Sequence, residues 1–490
     1  MIVKLLLDRK REGGELAPEE IRALIDAYTR GDVPDYQMAA FAMAVCCRGM
    51  TPAETHALTD AMQHSGECLT WQGPSADKHS TGGIGDKLSL IIQPLAASCG
   101  ISVPSLAGRG LGLTGGTVDK LESIPGYNAC LSLDDFRRVV SECGVSIAAQ
   151  TAEIAPADKK LYALRDVTGT VPSIPLIVGS ILSKKLAEGA GTLVFDVKCG
   201  AGAFMKTRAE ACALARALVD GARAAGRRAA ALVTAMDEPL GWTVGNALEV
   251  EEAMGVLRGG NGQDARCRIC GQDARHPDHV VDEQDARHPD HVVDEQNARH
   301  PDHVVDEQNA RHPDHVVDGQ NSRHPEDVVE ISVELAARMV ALEKGMSLEE
   351  ARADCRENLA NGAAWARFAE MVKLHGGDLE AFASRPRGEA HVVAASCAGY
   401  VARVDAEGIA KAAFELGAGR AKSDDAIDFA AGVTLAVAHG DRVEVGQPLA
   451  WLYAPTRPER LADAARLVQE SVAVTSERPA AKQLILEVVE

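Results

Sequence analysis

From residue 77 onwards, apolar runs alternate with Gly-rich turns at helix-length spacing, and this alternation restricts the fold more than any other feature. The runs include Leu90-Ile91-Ile92, Leu193-Val194-Phe195 and Ala231-Leu232-Val233. Apolar segments separated by helix-length stretches are typical of strands connected through helices, which form parallel sheets. The sequence therefore predicts an α/β fold whose mixed sheet is largely parallel.

The segments before and after this region show different sequence patterns. Four residues at helical spacing, Ile21, Leu24, Ile25 and Tyr28, predict a buried helix face in an all-α unit over residues 1–68. Thr51 and Glu54 form a capping-box signature at another helix start. Near the other end, Gly399-Tyr400-Val401 and the stretch 440–449 predict short strands in a C-terminal α+β, β-rich domain.

Charge and composition exclude several classes of protein. The 490 residues exceed what one hydrophobic core holds, so several domains are expected. A formal net charge of −20 argues against a nucleic-acid partner. The sequence offers neither a secretion signal nor a run of about 20 apolar residues that would cross a membrane. Together with unpaired cysteines, this favours a cytoplasmic protein without a membrane partner.

An insertion at about 264–325 contains a 12-residue tandem repeat over residues 271–325. Its unit, R-H-P-D-H-V-V-D-E-Q-[DN]-A, places His276, His288, His300, His312 and His324 in register, and Cys267-x-x-Cys270 precedes it. A proline in each unit interrupts any long helix, and few apolar side chains are present to order the repeats. We interpret the tract as an expanded surface connection; a transition-metal site is the alternative.

The first chemistry-bearing motif is Asp77-Lys78-His79-Ser80-Thr81-Gly82-Gly83-Ile84-Gly85-Asp86-Lys87, followed by Ser89. Glycines let backbone N–H groups approach an anion, while lysine supplies charge and serine supplies oriented donors. The spacing differs from that of a Walker loop. Taken alone, the motif is either a phosphate cradle or a tight structural turn.

Two further clusters follow. Residues 108–123 contain five glycines within nine positions, which indicates a ligand-binding loop, a hinge or both. Arg165 precedes a segment in which Ser180 and Lys184 would share one face if the chain is helical there. These basic residues either point into one cleft or are ordinary solvated surface charges.

In combination, the three clusters closely resemble the thymidine and pyrimidine-nucleoside phosphorylase family. The resemblance is carried by Lys78-His79-Ser80-Thr81-Gly82-Gly83, by residues 119–126, by Arg165-Asp166-Val167-Thr168 and by residues 196–205. It implies a pentosyltransferase of pyrimidine salvage that cleaves thymidine-type or uridine-type nucleosides with inorganic phosphate. It also implies a homodimer that meets through its helical lobes, and no organic cofactor.

The resemblance divides the chain into lobes. It implies an α lobe at 1–68 that the chain re-enters at 156–187, and an α/β lobe at 77–155 and 188–345 with the repeat inserted. Residues 346–490 would form the C-terminal domain. The substrates would meet in the cleft between the lobes.

The resemblance also assigns roles to residues. Phosphate would contact Lys78, Ser80, Ser89 and Thr117. The nucleoside would contact His79, Leu111, Arg165, Ser180, Lys184 and Phe204. His79, Arg165 and Lys184 would be catalytic, since donors aimed at the departing base stabilise its negative charge, and His79 would act in its protonated form. A potassium ion is expected at Gly85, Lys87, Leu240, Thr243 and Glu252.

Two residues depart from the family pattern. Ala107 and Leu113 stand where the family has a serine and a histidine, which removes one phosphate donor and one polar contact. Ser105 lies near the same loop, and its hydroxyl is expected to compensate. Two alternatives therefore stay open: a non-catalytic or altered-substrate binding protein on the same scaffold, and a phosphoribosyltransferase, which would need an acidic Mg²⁺ and pyrophosphate site.

Overall fold

The computed structural model describes residues 2–110, 113, 115–259, 326–420 and 425–490. The repeat tract, Cys267, Cys270 and Leu111 lie outside these residues. The helices are α1 (Val3–Arg11), α2 (Pro18–Arg30), α3 (Asp35–Arg48), α4 (Pro52–Gln63), α5 (Leu88–Ser98), α6 (Thr117–Glu122), α7 (Leu133–Cys143), α8 (Pro156–Thr168), α9 (Ile174–Ala187), α10 (Arg208–Ala224), α11 (Asn246–Leu257), α12 (Glu326–Lys344), α13 (Leu348–Ala360), α14 (Ala363–Leu374), α15 (Leu379–Ala383), α16 (Ala406–Leu416) and α17 (Leu461–Ser471). The strands are β1 (Ala76–Ser80), β2 (Val103–Ala107), β3 (Val145–Ala149), β4 (Thr192–Cys199), β5 (Arg228–Ala235), β6 (Thr243–Val244), β7 (Ala390–Ala394), β8 (Gly399–Val404), β9 (Gly432–Leu435), β10 (Arg442–Val443), β11 (Pro448–Tyr453), β12 (Val472–Thr475) and β13 (Ile485–Val489).

Helices α1–α4, α8 and α9 contribute to one apolar cluster and form the α lobe. The predicted face of α2 is buried, and Gly31 ends that helix in the left-handed conformation. At the start of α4, the Thr51 hydroxyl accepts from the Glu54 N–H, while the Glu54 carboxylate accepts from the Thr51 N–H. The predicted capping box is thus present. Glu54 also pairs at 2.8 Å with the buried Lys10 of α1.

The central sheet is mostly parallel, as the alternating pattern predicted. Strands β1, β4 and β5 pair in parallel, and β13 closes the β5 edge in the antiparallel direction. The parallel pair β2 and β3 continues the sheet beyond β1 through a bridge between Ser75 and Ser102. The carboxyl ends of the parallel strands meet at one edge, where α/β proteins bind ligands.

One apolar run takes a different form from the other two. Leu90-Ile91-Ile92 lies in helix α5, whereas the runs at 193–195 and 231–233 lie in strands β4 and β5. A short run that is buried on all sides looks the same in a helix and in a strand. Helix α5 packs against α12 and α14, so its buried surroundings explain the continuous apolar run.

The expected domain boundary at residue 346 has to be corrected. Buried residues of α13 and α14, among them Cys355 and Phe368, share the core of the α/β lobe with Leu90 and Ile91 of α5. The second core takes its C-terminal residues from Val393 on β7 onwards, and Ile84, Trp242 and Val244 of the α/β lobe also pack in it. It is built from two antiparallel sheets with α16 and α17. The predicted boundary is wrong because the sequence of an amphipathic helix does not show which core its apolar face joins.

Three chain segments cross between the lobes and are hydrogen-bonded to one another. The Glu67 N–H donates to the Glu153 carbonyl at 2.7 Å, and the Leu69 N–H donates to the Ala187 carbonyl at 2.7 Å. Gly189 has φ +88°, and a Cβ there would lie 2.1 Å from the Leu69 carbonyl oxygen. A larger residue at 189 would therefore push the crossing segments apart.

His375 is buried between the α14 end and the strand layer of the α/β lobe. Its Nδ1–H donates to the Asn128 carbonyl at 2.9 Å, so its Nε2 accepts from the Ser146 hydroxyl at 2.9 Å. The ring also stacks on Tyr127 with the centroids 4.5 Å apart. Burial lowers the pKa of His375 to about 4.

This pKa predicts a loss of stability in acid. Between about pH 6.5 and pH 4 the unfolded chain binds a proton that folded His375 does not, so the free energy of unfolding falls as pH falls. We expect His375 to account for a loss of about 2–3 kcal/mol between pH 7 and pH 4.5. Urea unfolding at both pH values measures it. An equal pH slope in His375→Gln would contradict this assignment.

Among the helices of the described residues, none combines the length and apolar character that a membrane span requires.

Candidate active site

Two predicted phosphate contacts meet beside β1. A third lies two residues further along that strand, at its carboxyl end. Lys78 is fully buried on β1, and its Nζ lies 3.4 Å from the hydroxyl of Ser89 in the first turn of α5. Ser80 is on the same face of β1. Its hydroxyl donates to Asp86 at 2.5 Å and accepts from the Gly82 N–H at 3.1 Å. Lys78, Ser80 and Ser89 thus surround the turn that leads into the amino end of α5, a favourable position for an anion.

Buried lysines and carboxylates are paired around this turn. Burial by itself would raise the pKa of Asp86, but the charges of Lys78, Lys198 and Lys120 lower it well below the usual range. Lys120 donates to the Asp86 carbonyl oxygen at 2.6 Å and pairs with Glu249 at 2.8 Å. Asp86 therefore stays ionised and accepts a hydrogen bond from the Ser80 hydroxyl. Lys120 links the first glycine motif to the second.

Two parts of the second glycine segment, at Gly110 and Gly116, approach each other closely just before α6. A Cβ at Gly116 would lie 2.1 Å from the Gly110 nitrogen, so this approach requires glycine. Thr117, the fourth predicted phosphate contact, is the first residue of α6. Leu113 packs against the apolar core of the C-terminal domain, which gives this departure from the family pattern an apolar role.

Ser105 does not replace the hydroxyl that Ala107 lacks. Its side chain is buried on β2, and its Oγ accepts from Gln93 at 2.6 Å. Gln93 in turn contacts Asp77 at 3.3 Å, so Ser105 belongs to an internal polar network. The suggested compensation is wrong because Ser105, two residues before Ala107 on the strand, is held in the interior.

On the α-lobe side, Ser180 and Lys184 contact each other as the helical spacing predicted. Lys184 Nζ donates to the Ser180 hydroxyl at 3.1 Å and pairs with the buried carboxylate of Asp158 on α8. About a fifth of the Lys184 side chain is exposed. Asp158 therefore holds the ammonium of a partly exposed side chain in one position.

Arg165 is almost completely buried at the end of α8. Its guanidinium donates to the carbonyl oxygens of Leu176 at 2.9 Å and Val171 at 2.8 Å. Burial lowers the pKa of Arg165. The Arg165 guanidinium thus holds the segment between α8 and α9 in place. Arg165 is therefore not a solvated surface charge.

His79 lies between the two groups of cations. It is half-buried on β1, and burial together with the charges of Lys185, Lys184 and Lys78 lowers its pKa well below the usual value. The expectation of a protonated His79 is therefore wrong, because burial disfavours a positive charge on the ring and three ammonium groups oppose it further. A neutral imidazole has one donor and one acceptor.

Of the two apolar residues expected beside the base, the structure describes Phe204 but not Leu111. Phe204 follows β4 and is 56% exposed, so its ring is accessible beside the carboxyl edge of the sheet. Leu111 lies outside the described residues, and its role stays a prediction.

Sequence reasoning missed the carboxylates and one lysine that position these groups. Asp86 and Lys120 stood inside the quoted motifs, but nothing in the local pattern revealed their partners. Asp158 is 26 residues from Lys184, and only the packing of α8 on α9 brings them together.

The five residues expected to hold potassium lie together. The position expected for the ion is taken by the ammonium of one of them, Lys87. Lys87 Nζ lies 2.7 Å from the Leu240 carbonyl oxygen, 3.1 Å from the Thr243 carbonyl oxygen and 2.7 Å from Glu252 Oε2. The oxygen set suits a monovalent cation, and Lys87 already lies at its centre. Within the described ranges, His, Cys, Asp and Glu form no cluster of three or more that suits a metal. The repeat-tract metal site lies outside those ranges.

Comparisons with known proteins agree with this geometry. Residues 4–66 match the helical bundle domain of a glycosyl transferase family, and residues 72–268 match the a/b domain of that family. Residues 400–475 match the pyrimidine nucleoside phosphorylase C-terminal domain. An anthranilate phosphoribosyltransferase from Thermus thermophilus shares the fold at 17% identity, with a TM-score of 0.50 over 75% of this chain and 98% of that chain.

Two relatives match almost the whole chain. The pyrimidine-nucleoside phosphorylase of Geobacillus stearothermophilus is 38% identical over 98% of this chain and 98% of its own length. The thymidine phosphorylase of Rhizobium meliloti (strain 1021) is 41% identical over 99% of this chain and 98% of its own length. The chain therefore belongs to the thymidine and pyrimidine-nucleoside phosphorylase family.

Proposed function

We propose that this chain catalyses the reversible, phosphate-dependent cleavage of a pyrimidine nucleoside, releasing free base and a pentose 1-phosphate. The observation that carries the proposal is the pair of cationic groups on two lobes. Lys78 with Ser89 lies at the carboxyl end of β1, and Lys184 with Ser180 lies on α9 of the α lobe. A reaction between an anion and a base that leaves with negative charge needs a cationic group at each end.

The phosphate end of the site would draw on β1, α5 and α6. Lys78 would provide charge, and the Ser89 hydroxyl lies 3.4 Å from its Nζ. The Ser80 hydroxyl donates to Asp86 in this structure and would have to turn towards phosphate, while Thr117 would add a hydroxyl from the second glycine segment. Phosphate held there would attack the anomeric carbon of the sugar while the glycosidic bond breaks, so no covalent enzyme intermediate is needed.

The base end stabilises the leaving group. The Lys184 side chain is partly exposed while Asp158 holds its ammonium, and Ser180 adds a hydroxyl beside it. Arg165 has already used donors on three backbone carbonyls, which leaves part of its fork for a pyrimidine oxygen. Neutral His79 donates or accepts a hydrogen bond without adding charge. Closure of the lobes would bring both substrates together and exclude water.

We also propose a homodimer in the cytoplasm, joined through the α lobe. Several large apolar side chains of this lobe are exposed, including Leu5 at 57%, Tyr36 at 74% and Met43 at 44%. Exposed apolar groups concentrated on one lobe favour a protein interface. Light scattering of the purified chain tests this: a monomer mass at micromolar concentration would refute it.

The central experiment supplies thymidine, uridine, 2′-deoxyuridine and cytidine to the purified protein, with phosphate or with sulfate at equal ionic strength. We expect free base, separated by chromatography, to appear only with phosphate, and the relative rates to identify the preferred base and sugar. Failure with every nucleoside would contradict the proposal. Base consumption with phosphoribosyl pyrophosphate and Mg²⁺ would favour the transferase alternative instead.

A further inference from the structure

The ammonium of Lys87 is completely enclosed, and its surroundings resemble those of a bound ion. The side chain is fully buried, and its three donors point to the carbonyl oxygens of Leu240 and Thr243 and to Glu252. A lysine ammonium has three N–H donors, so all of them are satisfied. Two backbone carbonyls and one carboxylate also form a donor set that binds a dehydrated monovalent cation.

Glu252 is held in place independently of Lys87. Its Oε1 accepts from the Trp242 N–H at 2.9 Å, and its Oε2 accepts from the Thr243 N–H at 2.9 Å and from the Thr243 hydroxyl at 2.5 Å. The carboxylate therefore stays beside the two carbonyls whether or not a lysine is present. Its single charge balances one monovalent cation.

The surroundings of the Lys87 ammonium are closely packed. Gly85 has φ +69°, and a Cβ there would lie 2.7 Å from the Leu240 carbonyl oxygen. At Gly241, a Cβ would lie 2.2 Å from Glu252 and 2.9 Å from Lys87 Nζ. Backbone therefore closes around the ammonium on two sides. A potassium ion and Lys87 would compete for the same position.

We infer that Lys87 is a built-in monovalent cation, which makes this protein independent of potassium. The stabilisation by a freely bound ion grows with the logarithm of its concentration, whereas a tethered ammonium is always present. The inference concerns folding and positioning, so it does not depend on the proposed reaction.

The position of Lys87 explains what the tethered charge would do. The residue directly precedes α5, and its side chain reaches residues 240–243 and the helix α11, which carries Glu252. Lys120 holds the preceding residue, Asp86, through its carbonyl oxygen. The glycine turn between β1 and α5 is thus fastened on two sides by lysines. Lys87 is a positioning residue for that turn.

The test compares melting temperatures in potassium and in tetramethylammonium salts at equal ionic strength. The wild-type protein is expected to melt at the same temperature in both. Lys87→Thr, which keeps the oxygens and removes the ammonium, is expected to melt lower in tetramethylammonium and to regain a few degrees in potassium or ammonium salts. Base release measured in the same salts is a separate readout.

Lys10→Thr is the matched control. Lys10 is also buried and pairs with a carboxylate, Glu54, but no carbonyl oxygen joins that pair in the described residues. Its loss of stability is therefore expected to be the same in every salt. A potassium-dependent melting temperature of the wild type would overturn the inference. So would a folded Lys87→Thr that responds to no small cation. If Lys87→Thr does not fold, the wild-type comparison alone decides.

Discussion

Replacing Lys78 by methionine is expected to lower kcat/KM for phosphate-dependent base release by at least about 10²-fold. Lys78 is the only predicted phosphate contact with a full positive charge, and its Nζ lies 3.4 Å from the Ser89 hydroxyl. Methionine keeps a similar length and apolar stem but removes the charge. The loss should appear mainly in the dependence on phosphate concentration. Steady-state rates at varied phosphate and nucleoside measure it.

The fold is expected to survive this change. Asp196, which lies 3.6 Å from Lys78, keeps a closer partner in Lys198 at 2.8 Å and accepts from Thr234 at 2.6 Å. Circular dichroism and the melting temperature should therefore stay near those of the wild type. Lys4→Met, which removes a charge from a mostly exposed side chain, should retain full activity. Unchanged phosphate dependence in Lys78→Met would remove Lys78 from the phosphate site.

Replacing Lys185 by methionine is expected to lower the free energy of unfolding by about 3–5 kcal/mol. The buried Lys185 pairs with Asp77 on β1 and with Glu188 at 3.1 Å, and it donates to the Leu106 carbonyl on β2 at 3.1 Å. Burial and the neighbouring Asp77 raise the pKa of Glu188 well above its usual value. Glu188 is therefore favoured as the neutral acid, and without the ammonium the Asp77 carboxylate would stay buried with no cation beside it.

Urea unfolding at pH 7 measures this loss. The matched control is Arg208→Met: Arg208 pairs with Glu487 at 2.7 Å, but both side chains are substantially exposed. Exposed pairs contribute about 0–1 kcal/mol, so the control should unfold nearly as the wild type does. Equal effects of both substitutions would show that the Lys185 cluster is not a main source of stability. Because Lys185 joins α9 to β1 and β2, its loss should also loosen the contact between the lobes.

Features with a local physical cause were predictable from the sequence. The buried face of α2, the capping box at Thr51 and the contact of Ser180 with Lys184 each follow from spacing within one helix. The alternation of runs and glycine turns predicted the parallel sheet because each connection needs a crossover. The family resemblance then supplied the combination of site residues.

Features that depend on distant partners were not predictable in this way. Lys87 meets Leu240, Thr243 and Glu252 only when α11 packs beside the first glycine turn. The family resemblance placed all these residues in one cation site but did not show that the lysine would fill it. Likewise, the protonation of His79 depends on Lys184 and Lys185, which approach it from the α lobe.

Strand β13 has a consequence for how the protein is made. It pairs with β5 and covers an edge whose N–H and C=O groups would otherwise be free. Strand β5 leaves the ribosome long before Ile485–Val489 is synthesised. Throughout that interval the edge can accept a strand from another nascent chain, since an uncovered edge is a template for aggregation. Residues 485–489 therefore determine how long translation leaves the sheet in need of chaperone protection.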